Sequence, residues 1–215
     1  MATKLFDLIT ETDARNIEPG STIRLAPRGI VTPLAADTLR ARRVTVIADD
    51  GVRGDPGLVP AGDIRRVAIA ADHSGVALKA ALVPWLRGRG LAVADLGVAD
   101  LGVADGTPAD YPDTAAAVAR AVVRAEADAG IVIDGAGLGS AIAANKVDGI
   151  RAAMCVNETL ARYARQHNGA NVLALGATLL TIEEAKPIVA RFLETPMTEP
   201  RYIARLAKIA RLESA

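Results

Sequence analysis

Three short stretches of this chain set carboxylate, imidazole and glycine side by side in patterns that could do chemistry. Asp72-His73-Ser74-Gly75 follows the apolar run Val67–Ala71, and Asp134-Gly135-Ala136-Gly137-Leu138-Gly139 follows Ile131–Ile133. Gln166-His167-Asn168-Gly169-Ala170-Asn171 leads into a further apolar run. Without Cβ atoms at 135, 137 and 139, several backbone N–H groups can converge on an anion where a helix begins. The dinucleotide fingerprint G-x-G-x-x-G is not met, because the third glycine comes one residue early and Ser140 follows it. A nest for a sugar oxyanion or a phosphate fits better, with a ligand-less tight turn as the plain alternative. Asp134, at the mouth of that turn, is a candidate general base whose pKa partial desolvation would raise; capping the next helix is its ordinary role. His73 and His167 each have a polar neighbour, Asp72 and Asn168, which favours a site over a solvated loop histidine. Arg201, Arg205 and Lys208 recur at i, i+4, i+7 and share a helix face, either as a solvated stripe or as an Arg pair gripping phosphate by bidentate bonds.

These residues need a frame. Val67–Ala71, Val93–Leu96, Ile131–Ile133, Arg151–Val156 and Asn171–Leu175 read as strands. Between them, Leu78, Ala81, Leu82, Trp85 and Leu86 fall on one helical face, with Pro84 as a source of a kink. Ala115, Val118, Ala119, Val122 and Val123 repeat that spacing in a helix opened by Pro112. Ala141–Val147 predicts a short helix, and Asn157 caps a helix through Leu160 and Tyr163. Thr181 with Glu184 forms a capping box despite Pro187 further in, and Arg201–Ser214 closes as a helix. Strands alternating with helices imply a parallel sheet covered on both faces, with ligands at the carboxyl ends of its strands.

Composition sets the limits. The 215 residues are 51% hydrophobic but 3% aromatic, so aliphatic side chains must fill the core. Lys+Arg and Asp+Glu are both 25, a balance that argues against nucleic-acid binding. One cysteine, Cys155, excludes an intrachain disulfide, and two histidines make a poor metal site. There is no apolar run of signal-peptide length, nor the roughly 18 residues of a membrane span, which points to a soluble cytoplasmic protein. Asp49–Arg66, rich in Gly and Pro, reads as a linker. It separates an extension with linker, residues 1–62, from a main domain, residues 63–215. In the extension, Thr22–Ala26 and Val44–Ala48 read as strands, and Thr32-Pro33 opens a helix over Leu34–Arg43. The run TPLAADTLRARRVTVI is similar to segments of enzymes associated with bacterial microcompartments, and an extension that packs on the main domain or mediates assembly is the simpler reading. The tandem repeat VADLGVADLGVAD, Val93–Asp105, reads as a small duplication lengthening a loop.

Taken in order, VAIAADHSGVALK, DYPD (Asp110–Asp113), GIVIDGAGLGSAIAANKVDGIRAA, ARQHNGANVLALGA and the Arg201/Arg205 pair resemble the type B ribose-5-phosphate isomerases, a family that includes the galactose-6-phosphate isomerase subunits. The resemblance spans roughly Arg66 to Leu212. It implies a three-layer α/β sandwich with a five-stranded parallel Rossmann-like sheet, and an aldose–ketose isomerase of a phosphorylated sugar. It also implies a cis-enediolate mechanism without metal or cofactor, and a homodimer, with a tetramer as the alternative, whose sites lie between subunits. Carried onto this chain, Asp72 and His73 would touch the sugar and its phosphate end. Backbone N–H groups of Gly135, Ala136, Gly137, Leu138 and Gly139 would hold the enediolate. His167 would assist ring opening, Asn168 would bind substrate, and Arg201 and Arg205 would bind phosphate.

The chain departs from the family pattern at the base. Many members carry a catalytic Cys where Asp134 stands, in a CGTGIG-like motif that reads DGAGLG here. Others use a carboxylate from the following loop, where this chain has Gly139-Ser140-Ala141. The Thr expected after the first glycine is Ala136, and an Arg often found after the ALG segment is replaced by Thr178. The expectation is therefore that Asp134 shuttles the proton. The alternative is a non-catalytic sugar-phosphate binder that has lost its base.

Overall fold

Strand and helix alternate along the chain in a computed structural model that describes residues 5–48, 59–96 and 109–213. The chain divides into two units, Met1–Gly54 and Asp55–Ala215. The linker expected over Asp49–Arg66 lies partly outside the described residues, as does most of the tandem repeat.

The first unit runs β1 (Leu5–Ile9), α1 (Glu11–Asn16), β2 (Thr22–Val31), α2 (Pro33–Ala41), β3 (Thr45–Ala48), giving a parallel sheet in the order β1-β2-β3. Phe6, Ile9, Ala14, Ile23, Ala35 and Leu39 form its core. The sequence reading missed β1 and α1; the signal was there, since Thr10 and Asp13 make a capping box with Asp in place of the usual Glu or Gln. Thr32 does precede α2, yet its side chain makes no capping bond, and Pro33 sets the helix start instead. β2 runs past its expected end at Ala26, and its register against β1 shifts there, so Pro27 falls in a bulge where no ladder N–H is required.

The second unit runs β4 (Arg66–Ala71), α3 (Val76–Gly88), β5 (Ala92–Asp95), α4 (Tyr111–Val123), β6 (Ala129–Asp134), α5 (Leu138–Ala144), β7 (Ala152–Met154), α6 (Glu158–Asn168), β8 (Val172–Gly176), α7 (Ile182–Glu194) and α8 (Pro200–Ala210). Its five strands pair in parallel in the order β5-β4-β6-β8-β7. Alternate residues divide between two faces. Val67, Ile69, Ile131, Ile133, Leu173 and Leu175 face α3, α6 and α7 through Leu82, Ala161, Ile188 and Phe192. Ala68, Ala70, Val132 and Ala174 face α4 and α5 through Ala115, Val118, Ala119 and Ala144. Small residues let α4 come close: a Cβ on Gly130 would lie 2.5 Å from Val118. Helices thus cover both faces, as a parallel sheet requires.

Local chemistry sets the helix ends. Asn157 Oδ1 accepts the Leu160 N–H at 2.9 Å, and Thr181 and Glu184 bond reciprocally. Pro84 and Pro187 sit inside α3 and α7, which both continue through them. α5 begins at Leu138 rather than Ala141, because Gly137 at φ 77° turns the chain straight from the loop into the helix. No helix among the described residues is long and apolar enough to cross a membrane.

Candidate active site

β4 and β6 are neighbours, and the chain leaves β4 toward β5 on one side but β6 toward β8 on the other. Their carboxyl ends therefore open the crevice where doubly wound sheets take ligands. Asp72 directly follows β4 and Asp134 ends β6; the Asp72 N–H donates to Ile133 O at 3.0 Å, so the two turns lie side by side. Both aspartates are buried. Asp72 Oδ1 accepts from the Ser74 amide (2.9 Å), the Ser74 hydroxyl (2.6 Å) and the Gly75 amide (3.2 Å), which closes the turn. A Cβ on Gly75 would lie 2.7 Å from Ile133, so only glycine lets this turn press on β6. His73 is exposed at the same edge.

The Asp134 side chain folds back over its own loop. Oδ1 accepts the Ala136 amide at 2.8 Å and the Gly137 amide, and Oδ2 accepts the Ser140 amide at 2.8 Å. A carboxylate offers about four acceptor positions, so one remains, on Oδ2. This corrects two expectations. Burial does push the Asp134 carboxyl up, but the Ser140 hydroxyl and amide and the Gly137 and Ala136 amides outweigh it and hold the group below the usual carboxylate range. Among the described residues the buried Ser140 Oγ forms no hydrogen bond of good geometry, so its hydroxyl acts on the carboxylate as a nearby dipole alongside the three amides. Nor is the whole nest open to a ligand: three loop amides already hold Asp134, and those of Leu138 and Gly139 have no hydrogen-bond partner among the described residues.

The loop is fastened from β8. Ala177 N donates to Asp134 O (2.8 Å), and the Thr178 amide and hydroxyl both donate to Gly135 O (2.9 and 2.6 Å). A Cβ on Gly176 would lie 2.7 Å from Ala136 O, and one on Gly137 would lie 2.9 Å from the Leu175 carbonyl carbon. On the outer side, the Tyr111 ring packs on Gly139, where a Cβ would lie 2.6 Å away. Sequence reasoning missed both Thr178, seen only as a lost arginine, and Tyr111, whose signal was the DYPD motif. Cys155 cannot replace the base: it is buried, and burial pushes its thiol up to about 11.

The other candidates form a second cluster. α6 returns antiparallel to the strands, so His167 and Asn168, at its end, lie where β8 begins, whereas Asp134 pairs with Gly176 where β8 ends. Four residue steps of strand separate those ends, on the order of 13 Å. A single chain does not bring Asp134 and His167 together. Beside His167 stand Tyr163 and Tyr202, Arg201 and Arg205 lie against the Tyr202 ring, and Asn168 Nδ2 donates to Tyr163 O at 3.3 Å. Gly169, at φ 56°, ends α6, and a Cβ there would lie 2.4 Å from Leu206, which seats α8 against this corner. Two residues before His167, the buried Arg165 donates to the carbonyls of Ala170 (2.9 Å), Ala61 (2.7 Å) and Thr195 (3.4 Å). Burial and the charge of Arg151 lower its pKa to about 10. Ala61, on the extension's side of the expected boundary, is thus bonded into the main domain.

A family model described as Ribose/Galactose Isomerase matches residues 67–209. Ribose-5-phosphate isomerase B of Escherichia coli is 39% identical over 150 residues, 70% of this chain and 97% of that protein. The structure of ribose-5-phosphate isomerase B from Clostridium thermocellum superposes with a TM-score of 0.64 at 42% identity, covering 69% of this chain and 97% of that one. That of the Mycoplasma genitalium enzyme with bound ribulose-5-phosphate gives 0.63 at 40% identity, covering 69% and 96%. The matched span holds both clusters and the five-stranded sheet, and the chain belongs to the ribose/galactose isomerase family, as an aldose–ketose isomerase of the sugar-phosphate type.

Proposed function

We propose that the chain interconverts ribose 5-phosphate and ribulose 5-phosphate through a cis-enediolate, without a metal, in a homodimer whose sites each combine both clusters. The observation that carries this reading is the Asp134 carboxylate, held by three amides at the switch-point crevice with one acceptor position left on Oδ2. It takes the proton from C2 of the open-chain aldose and returns it to C1. The Leu138 and Gly139 amides face the oxyanion that develops between, an effect worth roughly 3–4 kcal/mol per well-aimed donor. Asp72 and His73, at the same edge, contact the sugar.

From the partner copy, His167 opens the sugar ring, Asn168 holds a hydroxyl, and Arg201 and Arg205 bind phosphate. The placement of Asp134 and His167 at opposite ends of β8 in one chain supports a reading in which two copies share each site. The decisive assay incubates the full chain, dialysed against EDTA, with a panel of four-, five- and six-carbon sugar phosphates in D2O. Ribose 5-phosphate should turn over fastest, with deuterium entering at the isomerised carbon. Phosphate-dependent binding with no turnover or exchange of any panel member would identify a binder instead.

A further inference from the structure

The arginines assigned to phosphate do not project on their own. The Arg201 guanidinium carbon lies 4.7 Å from the centroid of the Tyr202 ring, and its Nη2 donates to the Tyr202 hydroxyl at 2.9 Å. The Arg205 guanidinium lies 5.7 Å from the same centroid. That ring also meets the imidazole of His167, centroid to centroid 4.5 Å and tilted by 31°. Tyr163, one turn before His167 on α6, stacks on the imidazole at 4.6 Å and 17°, and Arg162 lies 4.7 Å over Tyr163. The imidazole thus has a stacked tyrosine ring and a tilted one against it. Among the described residues, Tyr202 is the one side chain whose ring meets the imidazole and both guanidiniums.

A guanidinium resting on an aromatic ring keeps its N–H edges for an anion, and the ring limits the angles at which those edges point. Pinning the imidazole limits the direction of its nitrogens in the same way. We propose that Tyr202 is a positioning residue that couples phosphate capture to His167: its ring sets the Arg201 and Arg205 grip and holds the imidazole, so an engaged phosphate settles the ring-opening group as well. This rests on the sugar-phosphate reading above, which supplies the roles of Arg201, Arg205 and His167. Selectivity for phosphorylated sugars then lies in kcat as well as in binding.

Two measurements on the full chain test the coupling. With two histidines in the chain, imidazole NMR signals are few, and His167→Gln identifies the one that belongs to His167. Inorganic phosphate should move that signal in the wild type, and should move it far less in Tyr202→Leu at equal phosphate saturation. In kinetics, Tyr202→Phe, which keeps the ring, should stay within about twofold of wild type. Tyr202→Leu should lower kcat about tenfold and weaken inorganic phosphate binding about tenfold. A wild-type His167 signal indifferent to phosphate overturns the proposal even if the leucine variant does not fold. So does a folded Tyr202→Leu enzyme with wild-type kcat, or a Tyr202→Phe enzyme as impaired as a ring deletion. A wild type that turns over no sugar phosphate would sink the isomerase reading instead, while the phosphate titration would still decide the coupling.

Discussion

The Ser140 amide donates to Asp134 Oδ2 at 2.8 Å, so the carboxylate that ends β6 is tied to the first turn of the helix beyond the loop. Side chain and loop hold each other, and a change at residue 134 acts on both geometry and chemistry.

Replacing Asp134 by Asn should lower turnover at least a hundredfold while leaving phosphate-ligand affinity within a few-fold, because a base acts in the transition state and phosphate is held elsewhere. An amide NH2 must also face an N–H of the loop, so stability should fall by about 1–3 kcal/mol, read from urea melts. Near-wild-type turnover would remove Asp134 from the reaction.

Since the loop amides hold the Asp134 carboxyl below the usual range, its ionised form persists to lower pH than an ordinary aspartate. Its contribution to stability is complete above about pH 4–5 and is lost as pH falls through the lowered value. In kcat/KM, Asp134 should set no acid limb above about pH 4, whereas Asp134→Cys should introduce one near the thiol range of about 8.5. Superimposable pH profiles for the two enzymes would contradict this assignment.

Arg201→Ala with Arg205→Ala should weaken binding of phosphorylated sugars by roughly 1.5–3 kcal/mol per lost charge-assisted contact. Unphosphorylated sugars should lose little. Equal losses for both classes, measured by calorimetry, would return the stripe to a structural role.

A chain beginning at Asp55 should fold and isomerise, whereas one beginning at Asp63 loses Ala61 and leaves the buried Arg165 short of an acceptor. The difference should be about 1–3 kcal/mol in unfolding free energy. Equal stability of the two truncations would show that Arg165 finds another partner.

Separately inactive Asp134→Asn and His167→Ala proteins, unfolded and refolded together in equal amounts, should give about half mixed dimers by random pairing. Each mixed dimer has one site with both lesions and one with neither, so about a quarter of wild-type activity should return. If the two residues served one site from one chain, every site would keep a lesion and nothing would return.

The sheet, its helices and the glycine turn were legible because apolar period and caps such as Asn157 and Thr181 are local signals. The direction in which Asp134 points was not, since it depends on the left-handed Gly137 and on the Gly176 contact from a strand about 40 residues away. Thr178 looked like a deletion of charge, yet its hydroxyl bonds Gly135. Tyr202 was not singled out between Arg201 and Arg205, because only the packing of α8 on α6 places it against His167. α1 escaped notice because its box uses the shorter Asp13.

The buried Cys155 has a consequence for the conditions this enzyme can work in. Burial pushes its thiol up to about 11 and shields it from solvent, while position 134, where the family pattern leads one to expect a cysteine, holds a carboxylate. Peroxide and electrophiles act on exposed thiolates and carry them up an oxidation ladder that a carboxylate does not have. If Asp134 is the base proposed above, turnover should persist under oxidative stress that would silence a cysteine-dependent isomerase.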